Sequence, residues 1–193
     1  MKGKVLFITL LLSVLLAGRA EAQRCLPGMK GIQVSAEMAD GFYSQRNRKD
    51  AGYAFSLALS TYDKGGHKWV YGIGMMKRHY PYRKTRIPLA QYTGEAGYCY
   101  NFLSTPGKTV FLNAGLSGLL GYERVNGGKR MLEDGAVLQE SESFIYGGFV
   151  TLEAEAYLSD CTVLAFQLRE RILWGSAAGH FHTQYGIALK YIF

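Results

Sequence analysis

The chain has 193 residues, 48% of them hydrophobic and only 19% charged, against roughly 25% charged in an average soluble domain. That composition can bury a core and excludes a disordered or low-complexity tail. Its net charge of +7 is too diffuse to indicate nucleic acid by itself, and the abundance of Tyr, Phe and Gly over Pro favours strands and turns above helices.

Lys2 and Lys4 precede an apolar run from Val5 to Leu16. The run is short for a membrane span but has the length of a secretory h-region. Ala20-Glu21-Ala22 then places small residues where a signal peptidase reads. Residues 1–22 are therefore expected to be a cleaved signal peptide and residues 23–193 the exported domain. Cys25 follows Arg24, where a lipobox needs a small residue, so lipidation is not expected. Without the first 22 residues, 19 basic and 14 acidic side chains remain, a net of +5. No later stretch of 18 apolar residues exists, so any membrane crossing must use the other solution, a closed barrel of strands.

Eight segments of period-two alternation follow. They run over 31–38, 53–61, 69–76, 91–102, 110–117, 150–157, 164–171 and 184–193. In the first, Ile32, Val34, Ala36 and Met38 oppose Gln33, Ser35 and Glu37. In the last, Tyr185, Ile187, Leu189, Tyr191 and Phe193 oppose Gln184, Gly186, Ala188 and Lys190. Throughout, large apolar residues take one face and small, polar or charged ones the other.

Alternation alone does not say which face is inside; the connections do. They are long over 39–50, 77–88 and 123–142, moderate over 175–181, and short at 63–66, 103–108 and 159–161. Tight turns at one rim and longer loops at the other are the habit of an outer-membrane barrel. Aromatic residues cluster at strand ends, with Trp69, Tyr100, Phe102 and Tyr191 low and Tyr43, Tyr53, Tyr122, Phe144 and Trp174 high. Such rows serve as interfacial girdles. The fold expected is all-β: an eight-stranded antiparallel up-and-down transmembrane barrel.

Eight strands leave a lumen that side chains fill, so a pore is disfavoured. Parity sends Glu37, Glu95, Glu153 and Glu155 inward with Arg169, Arg171 and Lys190, four acids facing three bases. Counting from the turns puts Glu95, Glu153 and Arg169 at one height. An internal ion-pair network is the expectation, because buried charges persist only when paired. Glu170 falls on the outer face, tolerable near the upper interface.

The cysteines Cys25, Cys99 and Cys161 all map to the lower rim. An oxidising compartment favours a disulfide, with Cys25 to Cys99 the preferred pairing and Cys161 the odd thiol. No Cys-x-x-Cys or His-rich spacing supports a metal site, and no phosphate-binding loop opens a helix, so neither metal nor cofactor is expected. Ser176 with His180 or His182 beside Glu170 sketches a hydrolase trio but lacks a fixed motif. Lys77, Arg78, Arg83, Lys84 and Arg86 form a basic extracellular loop with Tyr80 and Tyr82 interleaved. Single-stranded nucleic acid suits that mixture. Pairing with phosphates of outer-leaflet lipid is the simpler reading, and direct DNA contact is not expected.

The final strand, 184–193, resembles the C-terminal signal read by the barrel-assembly machinery, through Gly186, Leu189, Tyr191 and the terminal Phe193. Together with 24-RCLPGM-29, 98-YCYNF-102 and 169-RERILWGS-176, the exported chain resembles the TraO family of Bacteroides-type conjugative transposons. That resemblance implies an outer-membrane part in a conjugative DNA-transfer apparatus, working beside other conjugal transfer proteins. It brings no catalytic motif, and no enzymatic activity is expected. The competing reading is a small barrel acting as a lipid-modifying hydrolase or a surface adhesin.

Overall fold

The computed structural model describes residues 26–40, 52–82, 85–132, 135–138, 141–177 and 179–193. Eight strands form: β1 (Lys30–Ala39), β2 (Gly52–Tyr62), β3 (Lys68–Tyr82), β4 (Thr85–Ser104), β5 (Val110–Val125), β6 (Glu142–Tyr157), β7 (Thr162–Trp174) and β8 (Phe181–Ile192). Each is antiparallel to its sequence neighbour, and β1 closes on β8 with Val34 opposite Leu189. Closure leaves no unpaired edge, which is what allows a sheet to sit in a medium that offers no hydrogen bonds.

The alternation sorts as expected. Large apolar residues such as Val34, Phe55, Ile73, Leu116, Val150, Phe166 and Ile187 lie exposed on the outer wall, while Gln33, Ser35, Thr93, Asn113, Thr151 and Gln167 are buried in the lumen. The wet-outside, greasy-inside arrangement of a soluble sandwich is therefore inverted. Both aromatic rows are on the outer wall, with Trp69, Tyr100, Phe102 and Tyr191 at one rim and Tyr53, Tyr122, Phe144 and Trp174 at the other. Tyr43 lies outside the described residues.

Local chemistry makes the tight turns. Asp63 accepts from Lys64 N at 2.7 Å, and Gly65 and Gly66 take φ of 77° and 83°, a region L side chains avoid. Thr105 Oγ1 accepts from the backbone N–H groups of Thr109 and Val110, both at 3.1 Å. A bulge lets Phe102 and Leu103 both face outward, and Asn101 Nδ2 donates to Leu103 O and Leu112 O across it.

One of the long loops is mostly strand, and a second is shortened at both ends. β3 continues to Tyr82 and β4 starts at Thr85, with Pro81 opposite Arg86, so the expected 77–88 loop is an extended hairpin. β5 likewise runs to Val125 and β6 starts at Glu142. Above the apolar wall, both faces of a ribbon meet polar surroundings, so the alternation that marks a strand lapses while the ladder continues.

Three apolar clusters also occupy the interior. Tyr62, Phe111, Tyr157, Val163 and Ile192 seal the lower end. Leu119, Phe149 and Leu173 pack together, and Ala39, Ala54, Met76 and Leu89 join Tyr80 and Val125 toward the upper end.

Candidate functional site

All seven expected interior residues point into the lumen, joined by an eighth, Lys68, at the first position of β3. Its inclusion balances four carboxylates with four cations. The sequence reading missed it because the apolar alternation begins one residue later, at Trp69. The parity was the available signal, since Lys68 lies two residues before Val70 on the inward face.

The network divides into two tiers. In the lower, Lys68 Nζ bonds to Glu153 and, at 2.5 Å, to Glu155; Lys190 Nζ bonds to Glu155 and lies 3.8 Å from Glu153. Gln167 Nε2 and Asn113 Nδ2 both donate to Glu153. Both ammonium groups lie over the Tyr62 ring, within 5.9 Å of its centroid. In the upper tier, Arg169 is 3.5 Å from both Glu37 and Glu95, and Arg171 is 3.7 Å from Glu95. Thr93 Oγ1 donates to Glu95 at 3.0 Å. Gln184, its amide oriented to satisfy its neighbours, donates to Glu37 at 3.2 Å and accepts from Arg171 at 3.1 Å. Glu153 therefore belongs below Glu95 and Arg169 rather than level with them. The tilt of the strands shifts heights that a count along each strand treats as equal. Within the lumen a cavity of about 20 Å³, lined by Gln33, Ser56, Cys99 and Thr151 among others, has room for a single water.

Above these tiers the structure assembles groups that the sequence reading assigned elsewhere. Arg78 turns inward to Asp40, whose carboxylate also meets His182 Nδ1 at 2.7 Å and accepts from Thr183 N at 3.0 Å. Arg78 is thus withdrawn from the expected basic loop, because it has the inward parity of Met76 and Tyr80. Lys77 and Arg86 lie on the outward face of the β3–β4 hairpin; Arg83 and Lys84 lie outside the described residues. Glu123 is fully buried and accepts from Gln91 Nε2 at 2.7 Å, Ser176 Oγ at 2.6 Å and Ala177 N at 2.9 Å.

The sketched hydrolase trio is not brought together. Ser176 donates to Glu123, His180 Nδ1 lies 2.8 Å from Leu173 O, His182 pairs with Asp40, and Glu170 accepts from Thr183 Oγ1 at 2.5 Å. Cys99 is buried in the lumen and Cys161 exposed at the lower rim, both as free thiols; Cys25 lies outside the described residues. In β8, Gly186 faces inward where an added Cβ would meet Ala36 O at 2.2 Å, so glycine lets β1 pack close. Leu189 and Tyr191 are exposed on the outer wall, and Phe193 exchanges backbone bonds with Lys30.

A closed barrel with an apolar outer wall, aromatic rows at both rims and a filled polar lumen is the organisation of a strand-built membrane protein. Among solved structures, the chain is similar to Neisserial surface protein A, with 14% identity, TM-score 0.54 and coverage of 86% of this chain and 96% of that one. It is similar to Ail, the attachment invasion locus protein of Yersinia pestis, in complex with the heparin analogue sucrose octasulfate, with 11% identity, TM-score 0.56 and coverage of 87% and 100%. OprG, an outer membrane protein of Pseudomonas aeruginosa, matches with 11% identity, TM-score 0.53 and coverage of 89% and 98%. At such identities the likeness speaks for the fold alone. No curated protein sequence matches the chain. A model of the family described as conjugative transposon protein TraO matches residues 26–193.

Proposed function

Because this chain belongs to the conjugative transposon protein TraO family, we propose that it serves as a non-enzymatic outer-membrane barrel of the transfer apparatus, anchoring other conjugal transfer proteins at the donor's surface. The observation that carries this reading is the filled lumen. The paired charges and the apolar seal of Tyr62, Phe111, Tyr157, Val163 and Ile192 occupy the cross-section, so DNA does not travel through this cylinder. What the fold offers is a rigid anchor with a lipid-facing wall and two rims on which partners dock. Residues 1–22 direct export, and the C-terminal strand with Gly186, Leu189, Tyr191 and Phe193 hands the chain to the barrel-assembly machinery. The engagement of Ser176, His180 and His182 in structural bonds supports a role without catalysis.

An in-frame deletion in a donor strain tests the proposal. Transfer frequency is expected to collapse and to be restored by the wild-type gene and by a copy carrying Ser176→Ala, His180→Ala and His182→Ala that inserts normally. Undiminished transfer from the deletion strain contradicts a transfer role. Failure of an inserted triple variant to restore transfer favours the hydrolase.

A further inference from the structure

Two features of the outer wall meet on β3 and β4. The first is a shallow apolar depression of about 940 Å³, bordered by Tyr71, Ile73 and Leu120 and floored by Gly94, Ala96 and Gly118. The barrel's own packing does not demand these glycines. A Cβ on Gly94 would have its nearest neighbour, Leu120 O, at 4.0 Å, and one on Gly118 would meet nothing within 4 Å. Neither has the positive φ that calls for glycine. Glycine weakens a strand and often marks a place where something else approaches the backbone.

The second feature is the cationic hairpin above it. Residues 77–88 include five Lys or Arg and no Asp or Glu. Parity turns Arg78 inward to Asp40 but leaves Lys77, His79 and Arg86 on the outward face, in line with Ile73 and Met75 on β3 and with Gly94 and Tyr92 on β4. Lys77 is directly opposite Tyr53 of the upper aromatic row, which fixes it at headgroup height. Ile73 lies four residues below, about 13 Å along the strand at about 3.3 Å per residue. With strands tilted by about 40°, that is roughly 10 Å of depth, within the hydrocarbon of the same leaflet, about half of a core roughly 30 Å thick.

We infer that this face of β3, β4 and β5 is a binding site for one phosphate-bearing lipid of the outer leaflet. The phosphate is held between Lys77 and Arg86 with His79 beside them, and an acyl chain lies in the depression over Gly94, Ala96 and Gly118. The inference rests on the membrane placement proposed above. Cations on an interfacial surface attract anionic headgroups, and Arg matches phosphate oxygens in a two-pronged geometry. Charge complementarity and a chain-sized trough beneath it select a lipid above a soluble polyanion, which would have no use for the trough.

The test uses the full exported chain, purified in detergent and titrated with dipalmitoyl phosphatidic acid or dipalmitoylglycerol, which differ only in the phosphate. Native mass spectrometry reads the retained lipid. The wild type is expected to hold phosphatidic acid about tenfold better than diacylglycerol. Lys77→Gln with Arg86→Gln is expected to erase that preference, and Gly94→Leu with Gly118→Leu to reduce retention of both lipids. Heat-modifiable gel mobility confirms that each variant is folded.

Equal retention of the two lipids, or a preference that survives loss of both cations, overturns the site. Full displacement of phosphatidic acid by sucrose octasulfate or a single-stranded oligonucleotide, with no effect of the glycine substitutions, also overturns it in favour of a soluble polyanion. A chain that fractionates away from membranes refutes the placement itself, whereas an inserted barrel that retains no lipid refutes this inference alone.

Discussion

The two ends of the lumen hold buried carboxylates in different ways. At the lower end, Glu153 and Glu155 are neutralised by Lys68 and Lys190 and closed off beneath an aromatic and aliphatic seal. At the upper end, Glu123 is equally buried but held by neutral donors, two of them from the β7–β8 connection, while Gln91 Oε1 and His182 Nε2 have no hydrogen-bond partner among the described residues. The lower half is thus a cross-linked charge cluster joining β3, β6 and β8. The upper half joins the Asp40, Arg78 and His182 cluster to a connection whose Ser176 and Ala177 bond Glu123. Stability is concentrated below and adjustability above.

Breaking the lower cluster should have the largest effect. Lys190→Ala strands Glu155 beside a single cation, and loss of one member of a buried pair typically costs about 3–5 kcal/mol. Urea unfolding of the barrel in lipid bilayers should show a loss of that size, whereas Lys190→Arg should lose less. Little change in Lys190→Ala would dissolve the contrast between the ends. Asp40 serves Arg78, His182 and the Thr183 backbone together, so Asp40→Ala should be intermediate, on the order of 2–3 kcal/mol for uncovering buried donors. Smallest of the three is Ser176→Ala, expected to cost about 1 kcal/mol for one hydrogen bond. Its sharper signature is local: faster amide exchange at Ala177 with the lower strands unaffected.

Much of this fold was legible because a strand in a membrane barrel must alternate, and the eight runs from Gly31 to Phe193 do so strictly enough to fix which side chains face inward. The lower turns announced themselves through Asp63-Lys64-Gly65-Gly66 and Thr105. What escaped the sequence lies where alternation loses its physical cause. Lys68 precedes the first large outward residue of its strand, and the tops of β3, β4, β5 and β6 project beyond the apolar wall, so they read as loops. The Asp40, Arg78 and His182 cluster draws on three segments far apart in the chain. Only the barrel closure of β1 on β8 and the register of β3 bring them together. Arg78 continues the inward parity of Met76, but the alternation read from the sequence stops at Met76 and the basic residues beyond it read as a surface loop.

The account stands on the outward direction of the large apolar side chains, and β7 offers the most direct measurement. Single spin labels introduced along residues 163–169, after reconstitution into bilayers, report collision with oxygen dissolved in lipid. The structure predicts high oxygen accessibility at Leu164, Phe166 and Leu168 and low accessibility at Val163, Ala165 and Gln167, a period of two with its maxima toward lipid. A flat profile, or one with the maxima at Val163, Ala165 and Gln167, would contradict it.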